Sequence, residues 1–248
     1  MIDVLFLPGP VQEADHGRAH SHSHRHGQSH AHFDDLAAGW DADAFKQHIT
    51  DLTCGWVKRQ PWWAPPLEGP AMEYGCGTGL LTMRLLGGLG SRVVGVDPSE
   101  KMLEQMAEKA QKLGEGDRIV TRNAELTGPG QLGEGADASF LLIYSQLVLH
   151  HIRDCAAAVS TMAGYLRPGG RLVLFDFEAT ENASAFHPSE MKIGETLEHH
   201  GICASDLLGW LDACGQFESE SIKLERLPFQ KPSEAGEGAG AEGRMEHF

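Results

Sequence analysis

No run in this 248-residue sequence approaches ~18 consecutive apolar residues, so the chain offers no segment that would cross a membrane as a helix. Positive charge is scarce: 20 lysines and arginines face 35 aspartates and glutamates, a formal net charge of -15. A phosphate-binding face needs Lys and Arg in excess, so neither nucleic acid nor an anionic membrane surface is an expected partner. Cysteine is sparse and unpatterned. The five (Cys54, Cys76, Cys155, Cys203, Cys214) are odd in number, widely spaced and without a CxxC pair. They make no disulfide framework, which points to a reducing, cytoplasmic compartment. The opening MIDVLFLPGP lacks a basic n-region and is too short for the apolar core of a secretory signal. No internal repeat is visible.

What the sequence does contain is enough apolar content, 41%, to bury a sizeable core in one α/β domain. Residues 1–32 read as a disordered arm that holds seven of the fourteen histidines, from His16 to His32, among Ser, Gly, Ala and Arg. Alternating His-x-His fixes no single coordination geometry. The arm is therefore either a polar tail or a non-specific binder of divalent metals such as Zn, Ni or Cu. Residues 33–69 read as a helical lid, running through Trp40 and Phe45 until Pro61, Pro65, Pro66 and Pro70 break the chain. From residue 70 to about 230, apolar runs alternate with amphipathic stretches, the pattern of βαβ units and a parallel sheet. Strands are expected near 71–75, 92–97, 118–122, 137–144, 171–177 and 218–227. Helices are expected near 78–87, 99–113, 154–167 and 204–214. Residues 231–248, rich in Gly, Glu and Ala, read as a flexible tail.

Chemistry concentrates in two segments. In Ala71-Met72-Glu73-Tyr74-Gly75-Cys76-Gly77-Thr78-Gly79, a buried strand enters a turn with glycine at alternate positions and then a helix. Such a turn brings backbone close to a ligand, where a Cβ would intrude. Its GxGxG spacing differs from the GxGxxG of dinucleotide-binding folds. Eighteen residues past Gly79, the strand Arg92-Val93-Val94-Gly95-Val96 ends in Asp97, an acid placed to accept both hydroxyls of a ribose. Ser99 is positioned to cap the following helix, with Met102 in its first turn.

EYGCGTGLLTMRL followed by VVGVDPSEKMLEQM resembles the first two motifs of class I S-adenosylmethionine-dependent methyltransferases. The resemblance implies a Rossmann-like, doubly wound, mostly parallel sheet with helices on both faces. It further implies roles for particular residues. Glu73 would hold the methionine amino group, and Gly75, Cys76, Gly77 and Gly79 would form the loop beneath the methionine and ribose. Asp97 would bind the ribose diol, and Pro98, Ser99 and Met102 would lie beside the adenine. In the third motif, Asn123-Ala124 stands where relatives commonly have an acid and Ala. The Asn123 side-chain carbonyl can still accept a hydrogen bond from the adenine amino group. In the fourth, Asp137 opens a strand whose end at Tyr144-Ser145 would face the sulfonium. The continuation Val148-Leu149-His150-His151-Ile152 is similar to small-molecule methyltransferases, including those of quinone biosynthesis. Gly164 to Leu174 completes the likeness as a helix end, a Pro-Gly-Gly turn and a strand.

Methyl transfer from a sulfonium is an in-line displacement, and a base is needed only when the acceptor must lose a proton. The candidate bases are His150, His187 and His200, with His151, His199 and Glu178 nearby in sequence. The plain alternative for each is a packing or capping role. No spacing matches a standard metal site, and none is expected. Trp40, Trp62 and Trp63 either line an aromatic acceptor pocket or simply pack. Class I members end in a hairpin whose last strand inserts antiparallel beside the fifth. Here a Gly/Glu-rich stretch follows residue 227, so the seventh strand is expected to be short or absent, leaving an unpaired edge. The function expected is methylation of O, N or C of a small, apolar or aromatic metabolite. The alternative is a methyltransferase-like scaffold without turnover.

Overall fold

The computed structural model describes residues 1–8, 28–180 and 197–227. Its centre is a seven-stranded sheet in the order β4-β3-β2-β5-β6-β1-β7, with every pairing parallel. In chain order the strands are β1 (Ile2–Leu7), β2 (Ala71–Tyr74), β3 (Val93–Asp97), β4 (Ile119–Asn123), β5 (Phe140–Gln146), β6 (Leu166–Phe177) and β7 (Ile222–Arg226). The helices are α1 (Gln28–Leu36), α2 (Ala44–Arg59), α3 (Leu80–Leu85), α4 (Glu100–Lys112), α5 (Cys155–Tyr165) and α6 (Ala204–Ala213). This is the expected Rossmann-like arrangement. Except between β4 and β5, successive strands connect through helices, because a parallel neighbour is reached only by a crossover.

The largest departure from the sequence reading is β1. Residues 2–7 belong to no arm: all six are buried, in register with Leu172–Phe177 on one side and Ile222–Arg226 on the other. The slot next to β6, where a terminal antiparallel strand was expected to be missing, is filled from the beginning of the chain by a parallel strand. IDVLFL has the near-continuous apolar run of a strand buried on both faces. Ile2, Val4 and Phe6 join the cluster under α5 and α6, and Leu5 joins the opposite cluster under α2, α3 and α4. Only Asp3 interrupts the run. Its carboxylate accepts from the Arg171 guanidinium, which also stacks on Trp62 with 4.6 Å between charge and ring centre. The expected tail from 231 to 248 and the histidines from His16 to His26 lie outside the described residues.

Two smaller differences have local causes. The helix expected to run through Trp40 and Phe45 is interrupted by a 3-10 turn, Ala37–Ala42, because Asp43 takes an extended conformation and caps α2. Its Oδ1 accepts from the N–H groups of Phe45 and Lys46 at 2.8 and 3.1 Å. The strand expected from Asp137 begins at Phe140 instead. Ala138 sits at φ +50°, and the Asp137 carboxylate turns back to accept from the Gly130 N–H at 2.8 Å.

Candidate active site

The carboxyl ends of β2, β3 and β5 open into a cleft of about 460 Å³, the place where doubly wound sheets bind their ligands. The glycine turn forms its floor. Gly75 has φ +69°, and a Cβ there would come within 2.4 Å of Val148 Cγ2, so only glycine fits. Gly77 has φ +49° with no atom closer than 3.9 Å to a built Cβ, which would project into open space beside Met102. That is the cradle a bound group would occupy.

Asp97 is preset for two hydroxyls. Its Oδ2 accepts from the Gly77 N–H at 2.8 Å and its Oδ1 from the Ser99 N–H at 2.9 Å, fixing the carboxylate plane. Each oxygen keeps lone-pair capacity for a further donor. Ser99 caps α4 by accepting from Met102 N–H at 3.2 Å. Asn123 turns its amide nitrogen to the carbonyls of Pro98 and Asp97, at 2.9 and 3.4 Å, which leaves its side-chain oxygen as the acceptor. Glu73 is buried yet lines the cleft. Thr82 donates to its Oε2 at 2.5 Å, and Tyr144 Oη lies 2.6 Å from the same hydroxyl. Burial pushes the Glu73 carboxyl up to about 8, against the lowering effects of the Thr82 bonds and the Lys109 charge. Burial likewise raises the Tyr144 hydroxyl and the Cys76 thiol well above their usual ranges, so neither ionises at neutral pH.

Of the expected cofactor residues, Glu73, Gly75, Cys76, Gly77, Asp97, Pro98, Met102 and Ala124 line the cleft. Gly79, Ser99, Asn123 and Tyr144 are not among the residues that line it. A cofactor with an ammonium and a ribose fits this donor set: a buried carboxyl at one point, a pre-oriented carboxylate at another, and a Cβ-free turn between them.

Aromatic and apolar side chains also line the cleft. Phe33 meets His151 edge to face at 5.2 Å between ring centres and Trp40 at 5.9 Å. Lys46 sits over the Trp40 ring at 4.3 Å. Leu147, Ile152 and Leu197 complete this wall. Leu147 has φ +57°, an uncommon conformation for a branched residue, directly after β5. Trp63 is instead core, packed on Gly88, and Trp62 stacks on Arg171 away from the cleft.

The candidate bases separate. His150 is buried behind the wall, with Nδ1 2.6 Å from Asp176 Oδ1, and its ring centre lies 4.1 Å from that of His151. His151 is the histidine that lines the cleft. His200 is exposed and does not line the cleft, and partial desolvation of its ring lowers its pKa. His187 lies outside the described residues. Glu178 pairs with Arg226 through two oxygens, with Nε to Oε2 at 2.7 Å. Sequence reasoning missed the Glu73–Thr82–Tyr144 chain, the His150–Asp176 pair and the lid aspartates described below. Their partners sit 9 to 68 residues apart and only the fold joins them.

Residues 72–174 match a protein family described as a methyltransferase domain. A ubiquinone biosynthesis O-methyltransferase from Rhizobium johnstonii is 32% identical over 139 residues, covering 56% of this chain and 53% of that protein. A 27-O-demethylrifamycin SV methyltransferase from Amycolatopsis mediterranei is 36% identical over 109 residues, covering 43% and 38%. The chain spans about half the length, or less, of these curated relatives. Among solved structures, the cyclase SpnF superposes with a TM-score of 0.50 at 18% identity, over 68% of this chain and 56% of that one, a likeness of fold alone. Among the described residues no helix is long and apolar enough to cross a membrane. The matched segment and the parallel sheet agree: residues 72–174 carry a methyltransferase domain on a Rossmann-like sheet.

Proposed function

We propose that this chain moves a methyl group from S-adenosylmethionine to O, N or C of a small, apolar or aromatic metabolite. The observation that carries the reading is one cleft lined both by residues of the two candidate cofactor turns and by the Phe33–Trp40–His151 cluster. The names of the two relatives favour oxygen as the accepting atom. The cofactor supplies the electrophilic methyl. Everything else falls to the protein: Glu73 and Asp97 orient, and the aromatic and aliphatic wall binds the acceptor and excludes water.

His151 is placed to take the proton that a hydroxyl acceptor loses. His150 acts through it: with Nδ1 held by buried Asp176, the His150 ring is fixed, and the His151 ring lies against it at a tilt. Asp176 is thereby a positioning residue. The five free cysteines fit a reducing, cytoplasmic compartment.

Titration calorimetry with S-adenosylmethionine tests the reading, with Asp97→Ala beside the wild type. The expected loss is ten- to a hundredfold in affinity, about 1.5–3 kcal/mol for a charged hydrogen bond. His151→Ala should then lower turnover of a phenolic acceptor by roughly 10²–10⁴-fold while cofactor affinity holds. A folded wild type that binds no cofactor would sink the enzyme reading.

A further inference from the structure

We propose that Asp34 and Asp41 are positioning residues that latch the lid onto the two cofactor turns, so that cofactor binding organises the wall against which the acceptor packs. The inference rests on the methyl-transfer reading above.

The lid carries two aromatic–aspartate pairs, Phe33-Asp34 on α1 and Trp40-Asp41 in the 3-10 turn. In each pair the aromatic ring lines the cleft. In each, the acid next to it grips a different cofactor turn. Asp34 Oδ1 accepts from Ser99 Oγ at 2.6 Å and from the Lys101 N–H at 3.2 Å. Ser99 is the residue whose own N–H orients Asp97. Asp41 Oδ1 accepts from Thr78 Oγ1 at 2.6 Å, and its Oδ2 accepts from Lys109 Nζ at 2.5 Å. Thr78 lies inside the glycine turn, between Gly77 and Gly79, and is 1% exposed.

Adjacent residues cannot move independently. Once Asp34 and Asp41 are seated, Phe33 and Trp40 are carried to the cleft wall. Any ordering of the Asp97 turn or the glycine turn by cofactor is transmitted to that wall through one hydrogen-bonded residue on each side. Lys109 ties the same latch to Glu73, because its charge favours the ionised carboxyl. A lid that only packed would need apolar contact and no buried hydroxyl–carboxylate bonds. Reciprocity follows: an acceptor that favours the seated lid also tightens cofactor binding.

Hydrogen–deuterium exchange across residues 33–43 tests this, with and without S-adenosylhomocysteine, in the wild type and in Asp34→Ala/Asp41→Ala. In the wild type, cofactor product should slow exchange there by about tenfold or more. In the double variant, calorimetry should still register binding, but this protection should disappear and the acceptor KM should rise more than kcat falls. Thr78→Val removes the donor from the other side and should reproduce Asp41→Ala, with no added effect when the two are combined. Thr78→Ser, which restores the hydroxyl, should recover protection. Equal protection in wild type and double variant, or additive effects of Thr78→Val and Asp41→Ala, would overturn the latch alone. A wild type that binds neither cofactor nor product would overturn the methyl-transfer reading and the latch with it.

Discussion

Fold and cofactor make opposite demands on Glu73, and their conflict can be measured as protons. The carboxyl is enclosed by protein, and burial raises its pKa from the usual 4.5 to about 8. Below pH ~4.5 the group is protonated in both folded and unfolded chains and contributes no pH dependence. As pH rises toward 8, the unfolded chain gives up this proton and the folded one keeps it. Stability therefore falls by ~1.4 kcal/mol per pH unit across that window, on the order of 4–5 kcal/mol in all. Glu73→Gln abolishes this slope, so the variant should be the more stable protein at pH 8 and match wild type near pH 4. At pH 7, with a pKa of about 8, roughly 0.9 of the molecules hold the proton. An ammonium brought against the carboxyl favours its ionised form. Binding of S-adenosylhomocysteine at pH 7 should therefore expel up to ~0.9 proton per site. Calorimetry in buffers of different ionisation enthalpy reads this number directly. A wild type that releases no proton, or a Glu73→Gln variant that releases as many, would refute the reasoning.

Two further outcomes follow from packing. Gly75→Ala forces a side chain into a left-handed residue and against Val148, and should cost about 2 kcal/mol or more, with weakened cofactor binding in whatever remains folded; chemical denaturation and calorimetry report both. Phe6→Ala should destabilise by ~3–5 kcal/mol. Because β7 pairs only with β1, amide exchange across Ile222–Arg226 should quicken with it, and unchanged protection there would contradict the strand order.

The cofactor end of the site was legible because its signals are local. A strand, a GxGxG turn and an acid closing the next strand lie within 27 residues, Ala71 to Asp97, and each states its own geometry. Asp97, Ser99 and Met102 sit where the pattern puts them. The acceptor end depends on tertiary contact. Nothing near His150 in the sequence marks Asp176 as its partner, and His151 differs from His150 only in which way a short 3-10 turn points it. The lid aspartates looked like ordinary polar residues until the fold brought Ser99 and Thr78 to them. Ile2–Leu7 was the clearest miss. Six strand-like residues next to a histidine-rich stretch were read with that stretch, whereas their apolar run suits a strand covered on both faces.

The position of β1 also sets a timetable. Ile2 pairs with Leu172 and Ile222, so the first strand made waits for about 170 residues of translation before either neighbour exists. At roughly 5–20 residues per second, an unpartnered IDVLFL spends on the order of 10–35 s outside the ribosome. During that interval it is a bare, sticky hexapeptide, and this long-range closure makes the sheet a slow one to complete. Yield in the cell should therefore depend on translation speed and on chaperones that hold nascent chains, even where the finished protein is stable.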